Sequence, residues 1–302
     1  MATMKKYILL LAIIVALAVA GIVVYHYSYQ SKRVLRISTT TSLYATGLLD
    51  KLADEFKKMY PDVLIQFIPV GSGEALRRAG MGDADLVLVH APNLEKKYID
   101  DGILIEGEIF AYNYFVVVGP PTDPAGVKNV KNVTQAFRKI YDAGVNGEAL
   151  FVSRGDNSGT HNRELFIWNS VGIKPEGSWY IESGTGMSQT LEIANEKGAY
   201  TLSDIGTYLK LKKSGVLNNL EMLVSGDPNL INIYSVYIVN PEKVGGVNYD
   251  LAEMFREFIV GEEGQRIIGE YGVAEYGANL FYPAEANKLD ELRSIWNYFA
   301  SS

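Results

Sequence analysis

From residue 35 onward, short apolar runs alternate with amphipathic stretches, and their spacing predicts a repeated unit of strand, loop and helix. Residues 35–38 read as a first strand. After the hydroxyl run Thr39, Thr40, Thr41 and Ser42, apolar positions Leu48, Leu49, Leu52, Phe56 and Met59 share one helical face until Pro61 stops them. Residues 63–68 form a second strand, which leads into Gly71, Ser72 and Gly73 and a helix from Glu74. Residues 86–89 form a third, leaving at His90 before a charged helix over 94–101. Such units build a parallel sheet whose functional loops gather at the carboxyl ends of the strands.

Two longer apolar runs interrupt this rhythm. Residues 110–119 end at Pro120 and Pro121, and residues 231–239 end at Asn240 and Pro241. Between them a second series follows: a helix over 133–143, a strand over 149–152, a helix ending at Gly172, a strand over 179–181, a helix over 187–197, a strand over 199–202, and a helix capped by Ser203 or Asp204. After the second run, helices near 249–259, 263–271 and 289–299 return to the first series. Two crossings predict two hinge strands and two α/β lobes facing each other across a cleft. The expected division is 34–117 with 235–302 as one lobe and 118–234 as the other.

The first 33 residues stand apart. Residues 7–25 are almost uninterruptedly apolar after Lys5 and Lys6, which suits a signal anchor or a signal peptide. The apolar run continues past the cleavage-like Ala18-Val19-Ala20, so retention as a membrane tether is expected, with the remaining chain on the extracytoplasmic face. The chain has no cysteine, so disulfides, thiolate metal sites and a lipid-modified amino-terminal cysteine are excluded. A net charge of -7 argues against nucleic acid as a partner, and any anionic ligand must be drawn in by local donors.

Such donors concentrate in residues 153–161, Ser-Arg-Gly-Asp-Asn-Ser-Gly-Thr-His, between a strand and a helix. A helix start offers unpaired backbone N–H groups and a partial positive charge, and Arg154 adds a full one, so the loop is a candidate oxyanion cradle. Loops at 39–42 and 71–73 have the same character.

Taken together, Thr39 to Ser42, Val70 to Gly73, Gly82 to Asp85 with Val89 to Pro92, Tyr112-Asn113 with Val118 to Pro120, Phe151 to His161, Gly184 to Thr190 and Ala199 to Leu202 resemble, in order, the substrate-binding proteins of tungstate ABC transporters. The resemblance implies the two-lobe type II periplasmic-binding-protein fold and a receptor for tungstate or molybdate. It implies partners too: a membrane permease driven by a cytoplasmic ATPase. It places Thr40, Thr41, Ser42, Ser72 and Gly73 on the anion from the first lobe, and Arg154, Ser158, Gly159 and Thr160 from the second. No cofactor is expected, the only metal being the centre of the oxyanion, and the chain is expected to act as a monomer. Glu74 and Ile205 depart from the family pattern, which commonly has an uncharged residue and an arginine there. A carboxylate close to the anion would repel it, so Glu74 points outward or the specificity differs.

Unprotonated dianions suit a site of donors alone, whereas phosphate benefits from an acceptor carboxylate. A phosphate or sulfate receptor of the same fold is the alternative, with Asp156 as the residue that could accept a phosphate proton. An enzyme built on Ser158, His161 and Asp156 is disfavoured, because three members within six residues cannot line up nucleophile, base and orienter.

Overall fold

The computed structural model describes residues 13–21, 33–128, 130–277 and 279–301. Most of the apolar run at 7–25, and with it the expected anchor, lies outside the described residues; 13–21 are helical and exposed. Among the described residues no helix is long and apolar enough to cross a membrane.

Strands β1 (Arg33–Thr40), β2 (Val63–Val70) and β3 (Leu86–Val89) pair in parallel, with Ile37 opposite both Phe67 and Leu86. β3 is buried along its whole length because helices cover both faces of the sheet, which is why its four residues are all apolar. Leu86 and Leu88 point into a cluster with Leu52, Phe56 and Phe255, and Val87 and Val89 into one with Leu76 and Tyr237. Helices α1 (Thr41–Ala45), α2 (Leu48–Met59), α3 (Ser72–Gly80) and α4 (Pro92–Asp100) follow these strands. On α2 the apolar stripe is buried from Leu48 to Phe56, each such side chain contributing about 1.5–3 kcal/mol. Met59, expected on that face, is exposed because the helix ends at the next residue.

β4 (Leu104–Gly119) starts six residues earlier than the apolar run predicts. Its register shifts between Ile105 and Glu108, and Glu106 takes a left-handed φ of 50°, so the alternation that marks a strand is broken there. Residues 104–114 pair with β9 (Ile231–Val239), while 115–119 pair with β7 (Thr201–Asp204) and β8 (Glu221–Val224). β4 therefore serves two sheets. Beyond it, Phe115 and Val117 face a core with Phe137, Phe151 and Trp168, and Val116 and Val118 face one with Val152 and Leu191.

The expectation of a parallel sheet holds for β1 to β3 and for β5 (Phe151–Ser153) with β6 (Tyr180–Glu182). It fails for β9, which runs antiparallel to both β3 and β4. The reason is topological: β4 carries the chain out of the first lobe, and β9 brings it back.

Helices α5 (Val133–Val145), α6 (Gly159–Ser170), α7 (Met187–Lys197) and α8 (Ile205–Lys213) belong to the stretch between the two crossings. Then come α9 (Tyr249–Val260), α10 (Glu262–Glu270), α11 (Val273–Tyr276), the short β10 (Tyr282–Pro283) on the edge of β4, and α12 (Leu289–Ala300). The result is a mixed α/β fold of two lobes.

Candidate oxyanion site

Three helix starts meet between the lobes. Thr40 ends β1 in extended conformation and caps α1, its hydroxyl accepting from Leu43 N at 3.3 Å. Gly71 precedes α3 with no side-chain cap, so the first N–H groups of that helix have no side-chain partner. Ser158 caps α6, its Oγ accepting from His161 N at 3.2 Å.

Glycine is what lets them approach. Gly73 N donates to Asn157 O at 3.3 Å, across the two lobes. A Cβ on Gly71 would lie 3.3 Å from Asp156 O, and one on Gly159 only 2.6 Å from His90 O. Gly186, before α7, approaches Thr41 Oγ1 to 3.6 Å by the same measure.

Arg154 follows β5 directly and is 2% exposed. Its Nη2 donates to Asp156 Oδ2 at 2.5 Å and to Thr41 Oγ1 at 3.3 Å, from the other lobe. Its Nε and Nη1 are buried without a protein partner, as are the hydroxyls of Ser38, Thr39, Ser72 and Thr160. Leaving a buried polar group unpaired costs about 1–3 kcal/mol, more when it is charged, so this density of donors points to an acceptor between the lobes. The nearby carboxylates are occupied. Asp156 Oδ1 accepts from Ser158 N at 3.1 Å, and Asp204, whose charge interacts with that of Arg154, caps α8 through Thr207 N and Thr207 Oγ1, both at 2.8 Å. Burial raises the Asp204 carboxyl above its ordinary range.

His90 closes the base of the site. Asn232 Nδ2 donates to Asn113 Oδ1 at 2.9 Å and to the Tyr234 hydroxyl at 2.8 Å, which turns its Oδ1 toward His90 Nδ1 at 2.8 Å. Nδ1 therefore carries the proton, and Nε2 faces the Ser42 hydroxyl at 3.4 Å as an acceptor. Burial pushes the imidazole down to about 4, outweighing the Asn232 bond, with Arg154 and Arg163 lowering it further. Asn113 and Asn232 sit opposite each other on β4 and β9, so the chain of bonds runs from both crossing strands to the site.

The structure thus gathers all nine sequence-predicted residues around one seam but gives them different duties. Ser72, Arg154 and Thr160 present buried donors with no protein partner. Thr41 accepts from Arg154, which leaves its own proton free to donate. Thr40 and Ser158 cap helices, Ser42 meets His90, Gly73 spends its N–H on Asn157, and Gly159 provides clearance. Thr39, within the donor loop expected at 39–42 though not among the nine, carries a buried hydroxyl without a partner, and so does Ser38, which lies outside that loop; the serine and threonine run at the end of β1 was the signal for it. His90 was not among the predicted site residues; its place at a strand end and in the Val89 to Pro92 segment was the signal for it.

Glu74 points away, paired with Arg77 at 2.6 Å and Arg78 at 3.1 Å, and these partners hold its carboxyl below the ordinary range. Ile205 starts α8 and packs against the cluster of Val116, Val118 and Leu191. The hydrolytic arrangement is not assembled: His161 Nδ1 accepts from Asn157 N at 3.0 Å, and Asp156 faces Arg154 and Ser158 N rather than the imidazole.

The chain is similar to known binding proteins. A family model described as a PBP superfamily domain matches residues 28–263. The tungstate-binding protein TupA of Peptoclostridium acidaminophilum is 40% identical over 259 residues, covering 85% of this chain and 88% of that relative. The crystal structure of the tungstate ABC transporter from Geobacter sulfurreducens is 42% identical with a TM-score of 0.72, covering 80% of this chain and 100% of that one. The tungstate-binding protein TupA from Desulfovibrio alaskensis G20 is 41% identical with a TM-score of 0.68, covering 83% and 98%.

Proposed function

Because the chain belongs to the PBP superfamily, the two-lobed binding proteins, we propose that it is the tungstate-binding component of an ABC importer, holding the dianion between its lobes and delivering it to a membrane permease. Molybdate has the same charge and shape and is the second ligand of this reading. The observation that supports it best is the set of buried donors without protein partners, drawn from the end of β1, the start of α3, Arg154 and the start of α6.

The donor set favours an unprotonated dianion. Arg154 Nε and Nη1 are buried donors on one rigid, permanently charged plane, each left to take an oxygen of its own. The hydroxyls of Thr39, Ser72 and Thr160 add directional donors, and the helix starts add partial positive charge. Asp156, the carboxylate that could serve a phosphate proton, already orients Arg154 Nη2 and Ser158 N with its two oxygens. Binding on one lobe followed by closure brings the remaining donors onto the anion. We assign Ser72, Arg154, Thr160 and Thr41 as direct donors, with Thr39 and Ser38 added, and Thr40, Ser42, Gly73, Ser158 and Gly159 as the frame. The site faces the extracytoplasmic side, and the apolar N-terminal run tethers a monomeric receptor there.

Thermal unfolding of the full-length chain in mild detergent, with tungstate, molybdate, sulfate and phosphate added in turn, tests this. A ligand at 100 times its dissociation constant stabilises by about 2.7 kcal/mol. Tungstate and molybdate are expected to raise the unfolding temperature and phosphate to leave it unchanged. A shift with phosphate alone would transfer the chain to a sibling receptor.

A further inference from the structure

Arg163 lies one turn into α6, behind the helix start that faces the anion. It is buried, yet no salt bridge to it forms among the described residues. Its Nη1 donates to Asn229 O at 2.8 Å, and its guanidinium carbon stands 3.3 Å from the ring centre of Phe299, on the C-terminal helix α12. Phe166, on the same face of α6, meets Phe299 edge-on with ring centres 5.1 Å apart at 89°. α12 in turn packs on α4 and β4 of the first lobe, its Leu292 and Phe299 buried with Ile109 and Tyr112. The last helix of one lobe therefore clasps the helix that opens the anion site in the other. Beside the clasp Asn93 Nδ2 donates to Asn162 Oδ1 at 3.1 Å, and only a cavity of about 30 Å³ remains between the facing elements.

We propose that the stacking of Arg163 on Phe299 is a latch that sets the closed geometry of the oxyanion site, a positioning pair that touches no ligand. The affinity part of the proposal rests on the receptor reading above. A guanidinium on an aromatic face gains most when both are desolvated, and here that requires α6 and α12 to be together. The contact is made on closing and lost on opening. Weakening it lowers the population of the closed state, and apparent affinity falls by the same fraction. Escape of the anion quickens, while encounter with the open cleft is unaffected.

The absence of native cysteine makes the seam easy to report on. In the full-length chain, N93C with N162C supplies the only thiols, and their cross-linking by a short bis-maleimide measures closure with no ligand present. Phe299→Leu, which keeps the core filled, is expected to slow cross-linking about tenfold and to speed tungstate dissociation by a similar factor, with association unchanged. Arg163→Met should do the same, and the double variant no more than either alone. Arg163→Lys keeps the charge but loses the planar stack, so an intermediate loss supports the latch. Unchanged cross-linking in both Phe299→Leu and Arg163→Met overturns it, as do additive losses in the double variant. A ligand-free unfolding temperature that drops in step with cross-linking assigns Phe299 to general packing and also overturns it. Cross-linking that depends on Phe299 in a chain that ignores tungstate leaves the latch standing and removes the anion assignment instead.

Discussion

Asp156 Oδ2 holds Arg154 Nη2 at 2.5 Å from two residues along the same loop. One end of the guanidinium is thereby fixed inside its own lobe, while Nε and Nη1 remain buried with no protein partner. A cation fully satisfied by carboxylates would have nothing left for a ligand. Arg154 has its orientation set through Nη2, by Asp156 and by Thr41 Oγ1 at 3.3 Å, and its Nε and Nη1 are left for a ligand.

Arg154→Ala should therefore abolish most of the affinity. Two hydrogen bonds to a charged partner are worth about 1.5–3 kcal/mol each, a loss of at least a hundredfold in Kd by titration calorimetry. Arg154→Lys keeps the charge but not the rigid planar set of donors, and should recover only part of the loss. Wild-type affinity in Arg154→Ala would refute the site.

Ser72→Ala and Thr160→Val each remove one buried hydroxyl without a protein partner. In the ligand-free chain this should be neutral or slightly stabilising, since nothing in the protein loses a bond. Tungstate affinity should fall about fivefold to thirtyfold for each, about 1–2 kcal/mol. Ligand-free unfolding and calorimetry on the same variants separate the two effects.

Gly159→Ala probes closure. A methyl there would stand 2.6 Å from His90 O and 2.7 Å from the His90 ring, both in the opposite lobe and buried. Neither neighbour is the loose end of a flexible side chain, so the lobes must part. Tungstate affinity should drop at least tenfold while ligand-free stability changes by less than about 1 kcal/mol, because alanine suits a helix better than glycine.

Two buried groups impose opposite pH dependences on stability. His90 is held down to about 4 from 6.5, chiefly by burial. Its contribution is complete above pH 6.5 and is lost as pH falls through 4, amounting to about 3 kcal/mol. Glu164 is pushed up to about 7 from 4.5 by burial, against the donors Tyr180 Oη at 2.7 Å and Trp168 Nε1 at 3.1 Å. Its contribution is complete below pH 4.5 and is lost as pH rises through 7. Unfolding temperature measured from pH 4 to 8 should be flattened on the acid side by His90→Gln and on the alkaline side by Glu164→Gln.

Much of this molecule is determined locally. Helix α7 at Met187–Lys197 and strands β3 and β9 have the boundaries read from periodicity, because apolar spacing and the flanking Gly186, Gly198 and Asn240 act within a few residues. The three donor-rich loops were legible for the same reason: glycine, hydroxyls and caps at a strand-to-helix corner are short-range features. β8 escaped because it opens on Glu221 and buries only Leu223 and Val224, too little for a continuous apolar run like that of β3, and the start of β4 because its bulge breaks alternation. Tertiary structure alone decided which hydroxyls cap a helix and which face the cleft, since Thr39 and Thr40 are neighbours in one run yet only Thr40 holds Leu43 N. It alone reversed β9 against β3, brought Thr41 to Arg154, and laid Arg163 on Phe299. Those contacts join residues more than a hundred positions apart, where no periodicity reaches and where geometry depends on how two lobes close.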